Sequence, residues 1–143
     1  MAYATRDDLI TLHGYPALEA VARREGPDVD NAAIERALED ASAELDGYLA
    51  VRYDIDGLIL LVPTPPALRN ATVEIAFYRL ANSAMSLTED IRQRYEDAIR
   101  WVKDVATGRA TIPSATLSNG SGGGASPDGR ILSQPSFGTV ARI

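Results

Sequence analysis

His13 is the chain's one histidine. A catalytic histidine needs an oriented acid on one side and a nucleophile on the other. Neither a serine nor a carboxylate is marked out for it, and Gly14 follows at once. His13 therefore reads as an ordinary residue at the end of a helix. Gly120-Ser-Gly122-Gly-Gly-Ala125 has the letters of a dinucleotide fingerprint. That fingerprint must follow a strand and open a helix, whereas Pro127-Asp-Gly129 comes next. Asp54-Ile-Asp56-Gly57 resembles the middle of a calcium loop. In that register the first and twelfth positions are Arg52 and Pro63, which cannot ligate the cation as the loop requires. The many carboxylates stand at helix-surface spacing, the pattern of a solvated face; paired acid–base use is a matter of distances. Tyr48, Tyr53, Tyr78, Tyr95 and Trp101 fall at helical positions and read as core. No catalytic, cofactor-binding or metal-binding residue is assigned, so neither an enzyme nor a cofactor is expected.

The elements that carry these residues are helices. From Asp30 to Tyr53 apolar residues recur at Ile34, Leu38, Ala41, Leu45, Tyr48 and Leu49, one face of a helix. Glu35, Glu39, Asp40, Glu44 and Asp46 fill the other side, and Asp30 suits the N-cap. Before it, Thr5-Arg-Asp-Asp8 opens a short helix with a capping arrangement. Pro16 starts a second short helix, and Gly26-Pro27-Asp28 breaks the chain. Pro65 or Pro66 begins a helix to about Ala84 that is apolar nearly all round, as a buried central helix would be. Thr88 begins the last, with a stripe at Ile91, Tyr95, Ala98, Val102 and Val105, ending at Gly108. The expected fold is an all-α small helical bundle of two short and three long helices.

Between the long helices, Asp56-Gly57 has the letters of a tight hairpin turn. The five apolar residues Leu58, Ile59, Leu60, Leu61 and Val62 follow, bounded by Pro63, Pro65 and Pro66. They suit either an extended loop lying on the core or an apolar arm that docks on another subunit.

Past Ile112 the chemistry changes. Of the 31 residues from Pro113 to Ile143, six are Gly, six Ser and three Pro, which is linker composition. Apolar residues return at Ile131, Leu132, Phe137, Val140 and Ile143. Two parts follow: residues 1–112 as a helical domain, and residues 113–143 as an extended Gly/Ser-rich C-terminal arm that orders on assembly.

Composition narrows the classes further. The chain has 143 residues, no cysteine and a net charge of −6. Residues 110–143 hold Asp128, Arg130 and Arg142, a net of +1, so residues 1–109 carry −7. An acidic body with one lysine does not wrap nucleic acid, which demands clustered cations. The longest apolar run is too short to cross a bilayer, and the N-terminus lacks a signal peptide's pattern. A soluble intracellular protein without a membrane partner is expected.

Ala37-Leu-Glu-Asp-Ala-Ser-Ala-Glu-Leu-Asp-Gly-Tyr-Leu-Ala-Val-Arg-Tyr53 resembles the signature helix of the small head–tail adaptor (connector) family of Mu-like phages and prophages. Tyr3-Ala-Thr-Arg-Asp-Asp-Leu9, the Val62-Pro63 to Leu68 loop, Ile75-Ala-Phe-Tyr-Arg-Leu80 and Arg94-Tyr-Glu-Asp-Ala-Ile-Arg-Trp101 extend the likeness over residues 3 to about 112. The resemblance implies a structural virion protein, made in the host cytoplasm and placed at the head–tail interface. It implies a homo-oligomeric ring, of 12 subunits by analogy with the portal, beneath the portal protein. A downstream neck, stopper or tail-terminator protein would dock on it, with DNA only passing through the lumen. The two apolar groups, Leu58–Val62 and Ile131, Leu132, Phe137, Val140 and Ile143, are the expected interaction surfaces. The alternative is a regulatory binding protein whose C-terminal arm captures a single protein partner.

Overall fold

The computed structural model describes residues 2–23, 28–113 and 115–118. Six helices follow one another: α1 Arg6–His13, α2 Tyr15–Val21, α3 Asn31–Leu49, α4 Ile55–Ile59, α5 Pro66–Ser83 and α6 Glu89–Ala106. Two isolated antiparallel bridges, Arg23 with Val29 and Tyr53 with Leu117, complete the regular structure among these residues. The all-α expectation holds.

Local chemistry sets most helix ends. Thr5 and Asp8 form a full capping box: the Thr5 hydroxyl accepts from the Asp8 N–H, and Asp8 accepts from the Thr5 N–H at 2.8 Å. Asp30 accepts from the Ala33 N–H at 3.0 Å and Thr88 from the Ile91 N–H at 3.3 Å, which starts α3 and α6. Pro16 lies in the first turn of α2 and Pro66 opens α5, where a missing N–H costs nothing.

The central helix is α5. It packs against α1, α2, α3 and α6, and Leu68, Ala71, Thr72, Val73, Ile75, Ala76, Phe77, Leu80 and Ala81 are buried along it. Thr72 is tolerated there because its hydroxyl donates to the Leu68 carbonyl at 2.8 Å. From α3 come Ile34, Leu38, Ala41, Leu45 and Leu49, and from α6 Ala98, Val102 and Val105. The five-residue turn Ala84–Thr88 makes α5 and α6 an antiparallel hairpin.

Three expectations are corrected. The long helix ends at Leu49, short of Tyr53, as Ala50 to Arg52 turn the chain and the Tyr53 N–H bonds back to the Leu49 carbonyl. The hairpin letters at Asp56-Gly57 form helix α4, giving three short helices rather than two. A hairpin would require positive φ at the turn, but Gly57 is helical and the Leu58 N–H bonds the Asp54 carbonyl at 3.0 Å. Ile55, Leu58 and Ile59, spaced by three and four, put one face on the core. Finally, Glu44 and Asp46 are half-buried rather than part of the solvated acidic face. Both lie on the flanks of α3, where carboxylates reach donors on neighbouring segments: Asp46 meets the Tyr3 hydroxyl, and Glu44 meets Arg79 and Tyr95. Glu35, Glu39 and Asp40 remain exposed.

Candidate functional site

The five-residue apolar run has two faces. Leu58 is 1% exposed and anchors α4 to the core, with Ile59 and Leu61 packed partly against it. Leu60 at 77% and Val62 at 92% exposure point away. Gly57 permits this turn, since a β-carbon there would stand 2.9 Å from the Asp54 carboxylate. The run is thus neither wholly core nor wholly arm: alternate residues anchor and project.

Of the two, Val62 borders an apolar pocket of about 500 Å³, whose wall also takes in Leu61, Pro63, Pro65, Pro66 and Pro113. Ala67 lines it too, and also lines a second groove of about 310 Å³ between α5 and α6. That groove has Ala71, Ala98 and Trp101 as its apolar lining and Asn70, Glu74, Arg94 and Asp97 as its polar lining. The two concavities therefore meet at Ala67, making one largely apolar surface along an edge of the bundle.

Glu74 holds the polar end together. The Arg94 guanidinium stands 3.8 Å from one of its oxygens, and the His13 Nε2 lies 3.2 Å from the other, out of line for a hydrogen bond. The His13 ring stacks on Phe77, with centroids 4.1 Å apart. His13 is the last residue of α1, as its spacing suggested, and it also packs that helix onto α5.

A second cluster ties the three long helices. Glu44 of α3 accepts from Arg79 of α5 at 2.7 Å and from the Tyr95 hydroxyl of α6 at 3.1 Å. Tyr95 stacks on Tyr78, centroids 4.1 Å apart. Burial, then the neighbouring Glu44 carboxylate, push the Tyr95 hydroxyl up from near 10 to about 12. Tyr3 is pushed higher still, first by burial and then by Asp46. Among the described residues no group of three or more His, Cys, Asp or Glu could hold a metal ion. No described helix is long and apolar enough to cross a membrane.

Arg52, unassigned by its sequence pattern, organises the end of the body near the pocket. Its Nη1 donates to the carbonyls of Val105 at 3.2 Å and Ala110 at 3.3 Å, while its Cζ lies 5.5 Å from the Tyr53 ring centre. The Tyr53 hydroxyl accepts from the Ile112 N–H at 3.1 Å. The Asp54 N–H bonds the Thr116 carbonyl and the Ser118 N–H bonds the Arg52 carbonyl, both at 3.0 Å. The described body thus continues past Ile112 to Ser118. Ile131, Leu132, Phe137, Val140, Ile143 and the Gly120–Ala125 letters lie outside the described residues.

The described body is an all-α bundle whose last described segment, 115–118, is bonded to residues 52–54 and whose α4–α5 side carries an apolar edge. The chain belongs to the Bacteriophage Mu, Gp36 family, whose family model matches residues 3–126. It is similar to gene product J of Escherichia phage Mu, 35% identical over 138 residues, covering 94% of this chain and 89% of that protein. It is also similar to the Mu-like prophage FluMu protein gp36 of Haemophilus influenzae. There the identity is 36% over 111 residues, 77% of this chain and 74% of the relative. The resemblance read from the sequence blocks led to the same Mu-like group.

Proposed function

We propose that this phage protein is a structural head–tail adaptor: a homo-oligomeric ring under the portal that joins the capsid to the neck and tail. The observation that carries this reading is the edge where Leu60 and Val62 project and where Val62 joins a proline-walled pocket to which Pro113 also contributes. An exposed apolar patch of this kind on a soluble body marks a protein contact. Membership of a Mu-like phage family supports placing that contact in the virion. The protein carries out no catalysis and takes no cofactor in this reading. Its partners are copies of itself in a ring of twelve, the number taken by analogy with the portal, then the portal protein and a neck, stopper or tail-terminator protein. Exposed Glu35, Glu39 and Asp40 on α3, none within an ion pair's reach of a cation among the described residues, suit a surface that repels passing DNA.

Deleting the gene from an inducible prophage tests the reading. The expected products are filled or leaking heads and separate tails, restored to whole particles by the gene supplied in trans. Intact particles lacking the protein would overturn it. Lost transcription of late genes with normal joining would favour the single-partner regulator instead.

A further inference from the structure

The proline-walled pocket beside α4 is lined without a single charged or hydrogen-bonding side chain: four prolines, Pro113 among them, with Leu61, Val62 and Ala67. Proline has no backbone N–H, so four of these seven residues donate nothing from the main chain. Strand pairing is a poor way to fill such a wall. A charged segment would lose its water there and gain no partner. What suits the pocket is a run of apolar side chains free of charge. Its volume of about 500 Å³ falls within the usual range of preformed sites, about 300–1,000 Å³.

Such a run stands downstream of the pocket's own wall. Residues 131–141 hold no Asp, Glu, Lys or Arg and include Ile131, Leu132, Phe137 and Val140. The charges that flank the run, Arg130 and Arg142, are cationic against the −7 of residues 1–109, so net charge does not oppose its approach. Pro113 precedes Ser118, the last described residue, by five positions, so Ser118 lies within about 18 Å of the pocket wall. The bonds of Thr116 and Ser118 to residues 52–54 fix that point. Of the next twelve residues, 119–130, seven are Gly or Ser. A chain of that length and composition spans about 20 Å on average and about 40 Å at full stretch, so it reaches the pocket with slack.

We infer that residues 131–141 fold back and seat their apolar side chains in the pocket of their own chain, covering the Val62 side of the apolar edge until a partner displaces them. Reach favours the same chain over a second copy. A short flexible linker presents its segment at an effective concentration on the order of 1 mM, about a thousandfold above a second copy at about 1 µM. The contact is autoinhibitory: it shields the edge in the free chain, and the arm reaches a partner by exchanging this contact for another. It forms whether or not the protein makes rings, so it goes beyond the adaptor reading and does not rest on it. A closure made by a few side chains opens at low denaturant, ahead of the body, and leaves the midpoint of global unfolding in place.

The absence of cysteine in the full chain lets a nitroxide be placed at one position. In an isotope-labelled full-length chain, the nitroxide on Ser133→Cys should erase the methyl signals of Leu61 and Val62, and dilution should not restore them. The methyl of Met85, beyond the far end of α5, should keep its intensity. The double variant Ile131→Asp with Leu132→Asp should bring both signals back. Val62→Asp, on a side chain 92% exposed and so without consequence for folding, should restore Leu61 from the pocket's side. A mixture of nitroxide-bearing chains without isotope and isotope-labelled chains without nitroxide separates the two sources of the segment, and full signals are expected there. Signal loss in that mixture would assign the pocket to the tail of a second copy and overturn the inference. Full signals in the singly labelled sample would overturn it too, leaving the pocket open to another protein and the adaptor reading untouched.

Discussion

The Arg52 guanidinium donates to the carbonyl oxygen of Val105, 3.2 Å away, across 53 residues of sequence. One side chain from just past the end of α3 thus adds a donor to a carbonyl in the last turn of α6, which the Gly108 N–H also reaches at 3.2 Å, and a cation there suits the helix dipole. The same group reaches Ala110, and Gly108, at φ +88, turns the backbone under it. Arg52 and Tyr53 are the last residues of the block that carries the family resemblance, which gives that block a physical reason: it joins the end of α3 to the exit of α6.

Replacing Arg52 with Ala should lower stability by about 1.5–3 kcal/mol, the range for hydrogen bonds to a charged group. Gly108→Ala should cost about 1–2 kcal/mol, because alanine is strained at positive φ. Urea unfolding followed by helical circular dichroism measures both. An Arg52→Ala variant as stable as wild type would show the staple to be incidental.

The helices themselves were legible because their signals are local. A capping box, an N-cap aspartate and apolar residues at steps of three and four lie within one or two turns of each other. Helix α4 was missed because five residues are too few for a period to show, and Asp56-Gly57 suits a turn equally well. Glu44 and Arg52 were missed for a different reason. Their partners lie 35 to 58 residues away, and nothing in the neighbouring letters separates them from solvated charges. The apolar run was noticed as unusual, but which of its residues project depends on where α4 sits against the core.

Leu45 is wholly buried in α3, so Leu45→Ala should cost about 2–5 kcal/mol. Glu44→Ala, one residue away, should cost about 1–2 kcal/mol, because it strands Arg79 and Tyr95 in a half-buried site. Glu39→Ala on the exposed face should stay within about 0.5 kcal/mol. Matching melting temperatures for Glu44→Ala and Glu39→Ala would mean the three-helix tie contributes nothing.

Alkaline pH should separate the two tyrosines. Both have folded-state values above the ordinary one near 10, Tyr95 at about 12 and Tyr3 higher. The folded chain then holds more protons than the unfolded chain above pH 10, so stability is fully present below that value and falls as pH rises. Tyr95→Phe should flatten part of the decline between pH 10 and 12, and Tyr3→Phe should flatten more of it. A stability curve level from pH 9 to 12 would contradict both assignments.

Leu58 and Leu60 should part company under substitution. Leu58→Ala removes a core side chain and should cost about 2–5 kcal/mol. Leu60→Asp with Val62→Asp alters only projecting groups and should leave helical content and melting temperature unchanged, while abolishing incorporation into particles. Incorporation at the wild-type level would remove the α4 edge from the assembly surface.

Where the chain is cut should decide whether stability or assembly is lost. Residues 115–118 pair with 52–54 through the Thr116 and Ser118 backbone bonds, and Ala115 packs against the core. A chain ending at Pro113 loses both bonds and should be less stable by about 1–3 kcal/mol, at 0.5–1.5 kcal/mol for each. A chain ending at Ser118 keeps them and should match the full-length protein in urea. It lacks Ile131, Leu132, Phe137, Val140 and Ile143, the apolar groups proposed to order on a partner. Burying several of them together is what would offset the entropy of fixing a Gly/Ser-rich segment, so removing all five should abolish portal binding without touching the fold. Complementation of a gene deletion by the two shortened chains reads this directly. Whole infectious particles from the chain ending at Ser118 would take the C-terminal segment out of assembly and leave the groove at Ala67 and the α4 edge to account for it.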